Sequence, residues 1–191
     1  MSKREVTIEV SARHVHLSQE HLAKLFGAGS ELHLARQISQ PGQFAAEEKV
    51  TIVGPKGKLA CRVVGPLRPA TQVELSVTDC RLLGLPVALR VSGTLAGTPG
   101  ARLEGKAGSV ELEQGVIVAQ RHLHINPTQA RAWGLKHGDV ISIKIDGARP
   151  VTWHDVFVCS REGVDELSFM IDTDEANAAG LKSGERGAIV D

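Results

Sequence analysis

The sequence predicts a mainly β fold built from two small β-barrels, each with a short capping helix at its rim. Many short stretches of alternating apolar residues are separated by turns that contain glycine or proline, a pattern typical of barrels and sandwiches. One Arg-His-x-His motif occurs twice in the same local context, which indicates an internal pseudo-repeat. The length of 191 residues suffices for one large domain or two small ones.

The first copy of the repeat begins with a strand expected at 6–10, which leads into the first histidine pair. Ser18 is expected to cap a helix at 19–26, because a hydroxyl at this position accepts a hydrogen bond from the first helical turn. Gly27 is expected to end that helix, since glycine readily adopts the conformation that follows a helix.

Six further strands are expected between the two copies, at 49–53, 59–64, 72–77, 87–91, 109–112 and 115–119. After the second histidine pair, Asn126 is expected to cap a helix that has Pro127 in its first turn. The remaining elements are strands at 139–145, 151–159 and 166–171, a helix at 175–179 and a strand at 188–190.

The composition excludes some classes of protein. The 22 basic residues balance the 22 acidic residues, so the chain lacks the basic surface that a duplex nucleic-acid binder needs. Aromatic residues make up only 3% of the chain, so the core is expected to be aliphatic. Three cysteines without close pairing favour buried thiols and a reducing cytoplasm over a disulfide framework. No apolar run approaches the length of a membrane span, and the chain enters its first strand without a signal-peptide pattern.

The two histidine pairs are His14 with His16 and His122 with His124, and their first members are 108 positions apart (122 minus 14). On a strand, residues i and i+2 point to the same face, so each pair presents two imidazoles side by side. Four converging imidazoles are typical of a transition-metal site, with zinc as the favoured ion. The alternative is that these are exposed or core histidines without a ligand role.

Four charged residues between the pairs have two interpretations each. Glu74, in an alternating segment, is either a solvent-side charge or a metal ligand, and alternation alone favours the former. Arg68 lies in a proline-rich turn, where its guanidinium would be held in a position suited to bidentate binding of an oxyanion. Lys56 and Arg62 are candidates for phosphate contacts. Arg68 is equally explained as a surface turn residue, whereas Lys56 and Arg62, taken singly, are better explained as ordinary surface charge.

Other charged residues have structural interpretations. Arg13 and Arg121 point to the strand face opposite the histidines and are expected to form structural ion pairs. The acidic cluster at 172–175 is expected to cap the last helix, because negative charge is favoured at a helix N-terminus.

Seven stretches together resemble the propanediol-utilization type phosphotransacylases, also called phosphate propanoyltransferases. They include Ser11-Ala12-Arg13-His14-Val15-His16-Leu17-Ser18, Gly65-Pro66-Leu67-Arg68, Thr71-Gln72-Val73-Glu74, Arg121-His122-Leu123-His124 and Ile171-Asp172-Thr173-Asp174-Glu175-Ala176-Asn177-Ala178. The others are Gln40-Pro41-Gly42-Gln43-Phe44-Ala45 and Gly54-Pro55-Lys56-Gly57. The stretches follow the order of the family over nearly the whole chain.

The resemblance implies two barrels that share a cleft, the first of them completed by the C-terminal segment. Residues 1–12 and 120–191 would form barrel 1, and residues 13–119 barrel 2, with a hairpin insertion near 27–46. The implied reaction interconverts acyl-CoA and inorganic phosphate with acyl phosphate and free coenzyme A, with acetyl or propanoyl as the acyl group. The implied partners are these small molecules and a second copy of the chain in a homodimer, without nucleic acid or membrane.

The resemblance also implies roles for particular residues. His14, His16 and Glu74 would hold a first zinc, His122 and His124 a second, and Arg68 would bind the phosphate and act in catalysis. The residues that would contact coenzyme A are Val10, Ser11, Ala12, Lys56, Arg62 and Asn177.

Two departures from the family pattern affect these expectations. Met170 stands where the family has a third histidine, and a thioether is a poor zinc ligand, so we expect one or two zinc ions per chain. The chain also begins at its first strand, without the N-terminal extension of members packaged in microcompartments. It is therefore expected in the cytoplasm, unless an extension has been removed. The alternatives are a non-catalytic or weakened protein that binds coenzyme A or zinc, and a zinc hydrolase.

Overall fold

A computed structural model describes residues 4–163 and 165–190 and confirms the predicted mainly β fold class. Its strands are β1 (Glu5–Ser11), β2 (His14–His16), β3 (Leu34–Gln37), β4 (Phe44–Val53), β5 (Lys58–Gly65), β6 (Gln72–Leu75), β7 (Leu89–Arg90), β8 (Ala101–Glu104), β9 (Ser109–Leu112), β10 (Val116–Ala119), β11 (His122–His124), β12 (Val140–Ile145), β13 (Val151–Cys159), β14 (Ser168–Asp172) and β15 (Arg186–Val190). Its helices are α1 (Gln19–Phe26), α2 (Val77–Leu83), α3 (Pro127–Ala132) and α4 (Thr173–Ala179).

The chain divides into two compact units. The first comprises the described residues of Met1–Ser11, Ser39–Pro41 and Gln120–Asp191. Its strands form a closed barrel in the order β1-β14-β11-β13-β12-β15. The first strand of the chain lies between two of the last three, parallel to β14 and antiparallel to β15. The C-terminal segment therefore completes this barrel, and an aliphatic core with Phe169 at its centre fills it.

The second unit comprises Ala12–Ile38 and Gly42–Ala119. Its nine strands form one curled sheet in the order β7-β10-β6-β2-β5-β4-β8-β9, with β3 paired to β4 in a hairpin. The sheet is a half-barrel, and α1 and α2 pack against it. Its core is aliphatic, as the low aromatic content predicts.

The pseudo-repeat is visible in the strand pairing of the two units. In the second unit β2 lies parallel to β5 and antiparallel to β6. In the first unit β11 lies parallel to β13 and antiparallel to β14. Ser18 caps α1 after β2, and Asn126 caps α3 after β11, as the sequence predicts. Each histidine pair therefore lies on a short strand between two others, directly before a capped helix.

Two expected strands are clearly shorter than predicted. The strand expected at 87–91 is reduced to Leu89–Arg90, and the strand expected at 72–77 ends at Leu75, so that α2 begins at Val77. Alternation of residues 73, 75 and 77 suggests a continuing strand, but Ser76 and Asp79 form a capping box that starts a helix instead. Residue patterns gave no signal for β8.

Within the described residues, all helices fall short of the length and apolar character needed to cross a bilayer.

Candidate functional site

Three potential metal ligands meet on one face of the half-barrel sheet. The pairing of β2 with β6 places His14 opposite Glu74, and paired residues of adjacent strands share a face. His14 Nε2 lies 3.6 Å from Glu74 Oε2, and His16 Nε2 lies 4.0 Å from Glu74 Oε1. One donor atom from each residue lies within 4.8 Å of the others. Two imidazoles and a carboxylate at these separations are able to hold a transition-metal ion.

Hydrogen bonds at Nδ1 orient both rings of this pair. His14 Nδ1 lies 3.0 Å from the carbonyl oxygen of Ala12, and His16 Nδ1 lies 3.0 Å from that of Val64. Because a carbonyl oxygen only accepts, each Nδ1 carries the proton and each Nε2 keeps its lone pair. This is the tautomer that a metal ligand requires, and carbonyl partners of this kind fix the ring of a ligating histidine.

Burial keeps His16 neutral. Its side chain is 2% exposed. Burial is the main cause that lowers the pKa of His16 to about 3, and the nearby His14 and Arg68 lower the pKa further, against smaller opposing effects of Glu74 and the Val64 carbonyl. At neutral pH the imidazole is therefore an uncharged donor that needs no deprotonation before it binds a cation.

A hydrogen-bond network holds the Glu74 carboxylate. Gln72 Nε2 donates to Glu74 Oε1 over 2.6 Å, and Ser92 Oγ donates to the same oxygen over 3.1 Å. The Gly93 N–H in turn donates to Gln72 Oε1 over 2.8 Å, which orients the amide. The carboxylate is therefore fixed before any ion binds.

Arg68 reaches this network from its turn. Its backbone N–H donates to the Leu17 carbonyl over 2.9 Å, and Arg68 Nη1 donates to Ser92 Oγ over 3.3 Å. A guanidinium therefore lies two hydrogen bonds from the Glu74 carboxylate and lowers the pKa of His16. A cation beside the three donors is suited to binding an anionic group next to a metal.

The structure places two other sequence-predicted cations in the same unit. Arg62 on β5 is the register partner of His14 and therefore lies on the same face, where it donates to the Ala46 carbonyl. Lys56 is exposed in the turn between β4 and β5, and its aliphatic part packs against Gly84 at the end of α2.

The second histidine pair lies in the barrel unit. His122 Nδ1 is 2.8 Å from the Gln120 carbonyl, which repeats the bond of His14, and the Nε2 atoms of His122 and His124 lie 3.1 Å apart. His124 Nδ1 lies 2.7 Å from Asp165 Oδ1, and Arg161 binds the same carboxylate. Burial alone would raise the pKa of Asp165, but the hydrogen bonds from His124 and Arg161 outweigh it and lower that pKa. The carboxylate therefore stays charged and orients the His124 ring.

The third donor of this pair is a thioether. Met170 is the register partner of His122, as Glu74 is of His14. Ser168, opposite His124, receives a hydrogen bond of 2.7 Å from the buried Gln40 amide. Within the described part of the chain, the group of three histidine, cysteine or carboxylate donors that meets is His14, His16 and Glu74.

The remaining candidates lie at strand and helix ends. Val10 and Ser11 end β1 and pair with Ile171 and Asp172. Asp172 caps α4, whose exposed residues include Asn177. Ala12, in the second unit, is exposed and supplies the carbonyl that orients His14.

Sequence reasoning missed three partners of the histidines and Glu74. Gln72 stands two residues before Glu74, so the period of a strand places it on the same face and was a usable signal. Ser92 and Asp165 lie in loops, 18 residues from Glu74 and 41 from His124 respectively, and no local pattern links them to these residues.

The chain is similar to known proteins over almost its whole length. Residues 7–182 match the family described as phosphate propanoyltransferase. A phosphate propanoyltransferase of Leptotrichia buccalis is 47% identical over 183 residues, which cover 95% of this chain and 86% of that protein. Those of Thermotoga maritima and Rhodopseudomonas palustris are 47% and 48% identical, over 97% and 95% of this chain and 89% and 80% of theirs.

Proposed function

The chain belongs to the phosphate propanoyltransferase family, and from that premise we propose that this phosphate acyltransferase interconverts acyl-CoA and phosphate with acyl phosphate and coenzyme A. In one direction a phosphate oxygen attacks the thioester carbonyl, a C–O bond forms, the C–S bond breaks and a thiolate leaves. In the other direction the thiolate attacks the acyl phosphate and phosphate leaves. The acyl group is acetyl or propanoyl.

The observation that carries this proposal is the cluster of His14, His16 and Glu74. Zinc in catalytic sites takes three protein donors and keeps one position open, and ligands at about 2.0–2.1 Å stand roughly 3.3 Å from one another. The separations of 3.6 Å and 4.0 Å between imidazole and carboxylate atoms fit that requirement with small adjustment. Bound zinc supplies Lewis acidity that favours the deprotonated form of the coenzyme A thiol.

Arg68 is the proposed phosphate-binding and catalytic residue. Phosphate is already nucleophilic, so the enzyme has to position it more than to deprotonate it. A guanidinium matches the geometry of phosphate oxygens and also offsets negative charge that develops on the carbonyl oxygen. The hydrogen bond from Arg68 to Ser92 supports this role because it holds the guanidinium near the Glu74 carboxylate.

The residues proposed to contact coenzyme A are Val10, Ser11, Ala12, Lys56, Arg62 and Asn177. One feature supports two members of this set. Lys56 and Arg62 are cations in the half-barrel unit, and cations suit the phosphates of coenzyme A. Val10, Ser11 and Asn177 are included from the family resemblance alone.

The second pair fits zinc less well. His122 and His124 are the proposed ligands of a second ion, but Met170 gives them a thioether where the first site has a carboxylate. The first site is therefore proposed to hold one zinc firmly, and the second to bind a further zinc weakly or not at all. We further propose a cytoplasmic protein without nucleic-acid or membrane partners, because the net charge is neutral, the cysteines are buried and free, and no apolar run is long enough to span a membrane. A homodimer is proposed from the family resemblance alone.

An assay of the purified protein tests the proposal. Coenzyme A with acetyl or propanoyl phosphate should give thioester, and a chelator should abolish turnover until zinc is restored. His14→Ala should lose zinc and turnover together. His33→Ala is the matched control, because the exposed His33 side chain pairs with Glu48, which lies outside the cluster, and the variant should keep both zinc and turnover.

Three results would contradict the proposal. Normal turnover in the His14→Ala protein would show that the reaction does not depend on a metal ion at this site. Release of coenzyme A from acyl-CoA without phosphate would show a hydrolase, and zinc or coenzyme A binding without turnover would show the non-catalytic protein that Met170 suggests as an alternative.

A further inference from the structure

An ion pair joins the strand of the first histidine pair to the helix that follows Glu74. Arg13, directly before β2, donates to Asp79 Oδ1 through Nε over 3.0 Å and through Nη2 over 2.7 Å. Asp79 is also the third residue of α2 and closes its capping box with Ser76. The side chain of Asp79 is only 4% exposed, so Arg13 supplies the countercharge to a buried carboxylate.

The barrel unit contains the same arrangement, built from different residues. Arg121 precedes β11, and its Nε lies 2.5 Å from Glu175 Oε1. Glu175 is the third residue of α4 and closes the capping box with Asp172. Asp79 stands five residues after the register partner of His14 (79 minus 74), and Glu175 stands five residues after that of His122 (175 minus 170).

The pair joins segments that adjoin two donor residues. Arg13 is covalently next to His14, whereas Asp79 lies in the first turn of the helix whose cap, Ser76, comes two residues after Glu74. The ion pair therefore links the backbone next to His14 to the backbone that follows Glu74. This link adds to the hydrogen bonds between β2 and β6. A loss of this link would let β2 and the start of α2 shift relative to each other.

We propose that the Arg13–Asp79 pair is a positioning device that sets the separation of His14 from Glu74 and thereby the affinity of their site for metal. The inference rests on the proposed function in one respect, that these residues hold a metal ion. Arg13 and Asp79 would act only through the donors, without contact to metal or substrate. Groups that orient metal ligands typically contribute about 10- to 100-fold in affinity.

Metal affinity of the folded protein tests this inference. Zinc affinity is measured by competition with a chromophoric chelator, and cobalt(II) serves as a spectroscopic probe of the ligand geometry. Asp79→Asn, which keeps a capping oxygen but loses the charge, should bind zinc about 10- to 100-fold more weakly and alter the cobalt absorption bands. Arg13→Lys keeps the positive charge but loses the two guanidinium nitrogens that donate together to Asp79, so it should also bind zinc more weakly.

Two matched variants separate positioning from general stability. Glu175→Gln breaks the equivalent pair in the barrel unit and should leave zinc affinity at the His14 site unchanged. Asp79→Glu keeps a carboxylate and supplies the residue type that Glu175 provides at the equivalent position of the barrel unit. This variant should keep the zinc affinity near the original value. All measurements are made well below the unfolding temperature of each variant.

The outcomes are distinct. Asp79→Asn and Arg13→Lys with unchanged zinc affinity overturn the inference and leave the proposed function intact. An equal loss in Glu175→Gln assigns the effect to lost stability and also overturns the inference. If the protein without substitutions binds no zinc, the proposed function and the inference are overturned together.

Discussion

At the scale of single residues, the neutral state of His16 links the candidate metal site to the stability of the fold. In the folded protein, burial lowers the pKa of His16 to about 3, whereas in the unfolded chain this residue has the ordinary pKa of 6.5. Between these two values the unfolded chain binds one more proton than the folded chain at this residue. The stabilising contribution of neutral His16 is therefore complete above pH 6.5 and is lost as the pH falls.

The metal-free protein should accordingly lose stability in mild acid. We expect the free energy of unfolding to fall by up to about 1.4 kcal/mol per pH unit from this residue below pH 6.5. Urea unfolding at a series of pH values measures the slope. His16→Gln lacks the titrating group and should show a shallower slope, and equal slopes would contradict the assignment.

A second prediction concerns the number of zinc ions. Met170→His would add a nitrogen donor at the register partner of His122, so zinc retained per chain should rise from one to two. Metal analysis after dialysis measures the content. Met170→Leu is the control, because it keeps an apolar side chain of similar volume and should retain one. Two retained zinc ions in the original protein would show that a thioether suffices.

Residue patterns indicated the candidate ligands better than the groups that orient them. His14, His16 and their counterparts stood out as candidates because one motif occurs twice, and Glu74 became one through the family resemblance. The predicted ion pairs of Arg13 and Arg121 are confirmed, since alternation places them away from the histidines. Contacts made through loops, such as that of Asp165 with His124, depend on tertiary structure and leave no trace in local spacing.

At the scale of elements, the turn between β4 and β5 supports the end of α2. The backbone N–H of Lys56 donates to the Leu83 carbonyl over 2.9 Å, so the turn satisfies a carbonyl that the helix leaves without an internal partner. Gly54 permits the approach, because a Cβ on it would lie 2.3 Å from the Leu83 oxygen. Gly57 is less constrained, since its Cβ would lie 3.1 Å from the Leu82 oxygen.

Gly54→Ala should therefore destabilise the protein by about 1–3 kcal/mol, because backbone atoms of α2 would have to move. The coenzyme A concentration at half-maximal rate should rise as well, if Lys56 contacts that substrate. Thermal unfolding and steady-state kinetics measure the two effects. Gly57→Ala, in the same turn, should lower the unfolding free energy clearly less. Equal losses of stability in both variants would argue against the close contact of Gly54 with the Leu83 oxygen as the cause.

Elements with their own start signals were predictable to within a few residues. The helix 19–26 and the strands 109–112 and 151–159 agree with the structure because caps or turns bound them. Helix α2 was missed because Val73 to Val77 alternates like a strand, and the capping box of Ser76 is decisive only once Asp79 is seen to close it.

At the scale of the whole molecule, the barrel joins the two ends of the chain. The N–H of Ile189 donates to the Arg4 carbonyl over 3.0 Å, and β15 pairs with both β1 and β12. The aliphatic core and the mainly β class could be predicted from composition and spacing. The closed barrel agrees with the predicted barrels, whereas the open edges of the other sheet could not be predicted, because they depend on strand pairing across long stretches of sequence.

A circular permutant tests the importance of this closure. Its original ends are joined by a short glycine–serine linker, and new ends are opened at Gly147, inside an exposed turn between β12 and β13. We expect it to fold and to bind zinc, at a cost of about 1–3 kcal/mol in unfolding free energy, because exposed turns tolerate new ends. Circular dichroism and urea unfolding measure the result.

The control permutant is opened within β13 after Val156, which is fully buried. It should fail to fold, because the break removes strand pairing and core packing together. If both permutants behaved alike, the continuity of the barrel strands would not be what stabilises this unit.

The position of β1 between β14 and β15 also has a consequence for synthesis. A ribosome delivers β1 well before its neighbours β14 and β15, so this strand remains without its pairing partners while the intervening residues are translated. The sheet of residues 12–38 and 42–119 can form in the meantime, since all of its strands emerge between β1 and β11. The nascent chain therefore passes through a stage in which the edges of β1 are open to chaperones or to other growing copies, and that stage ends only when β14 and β15 have emerged.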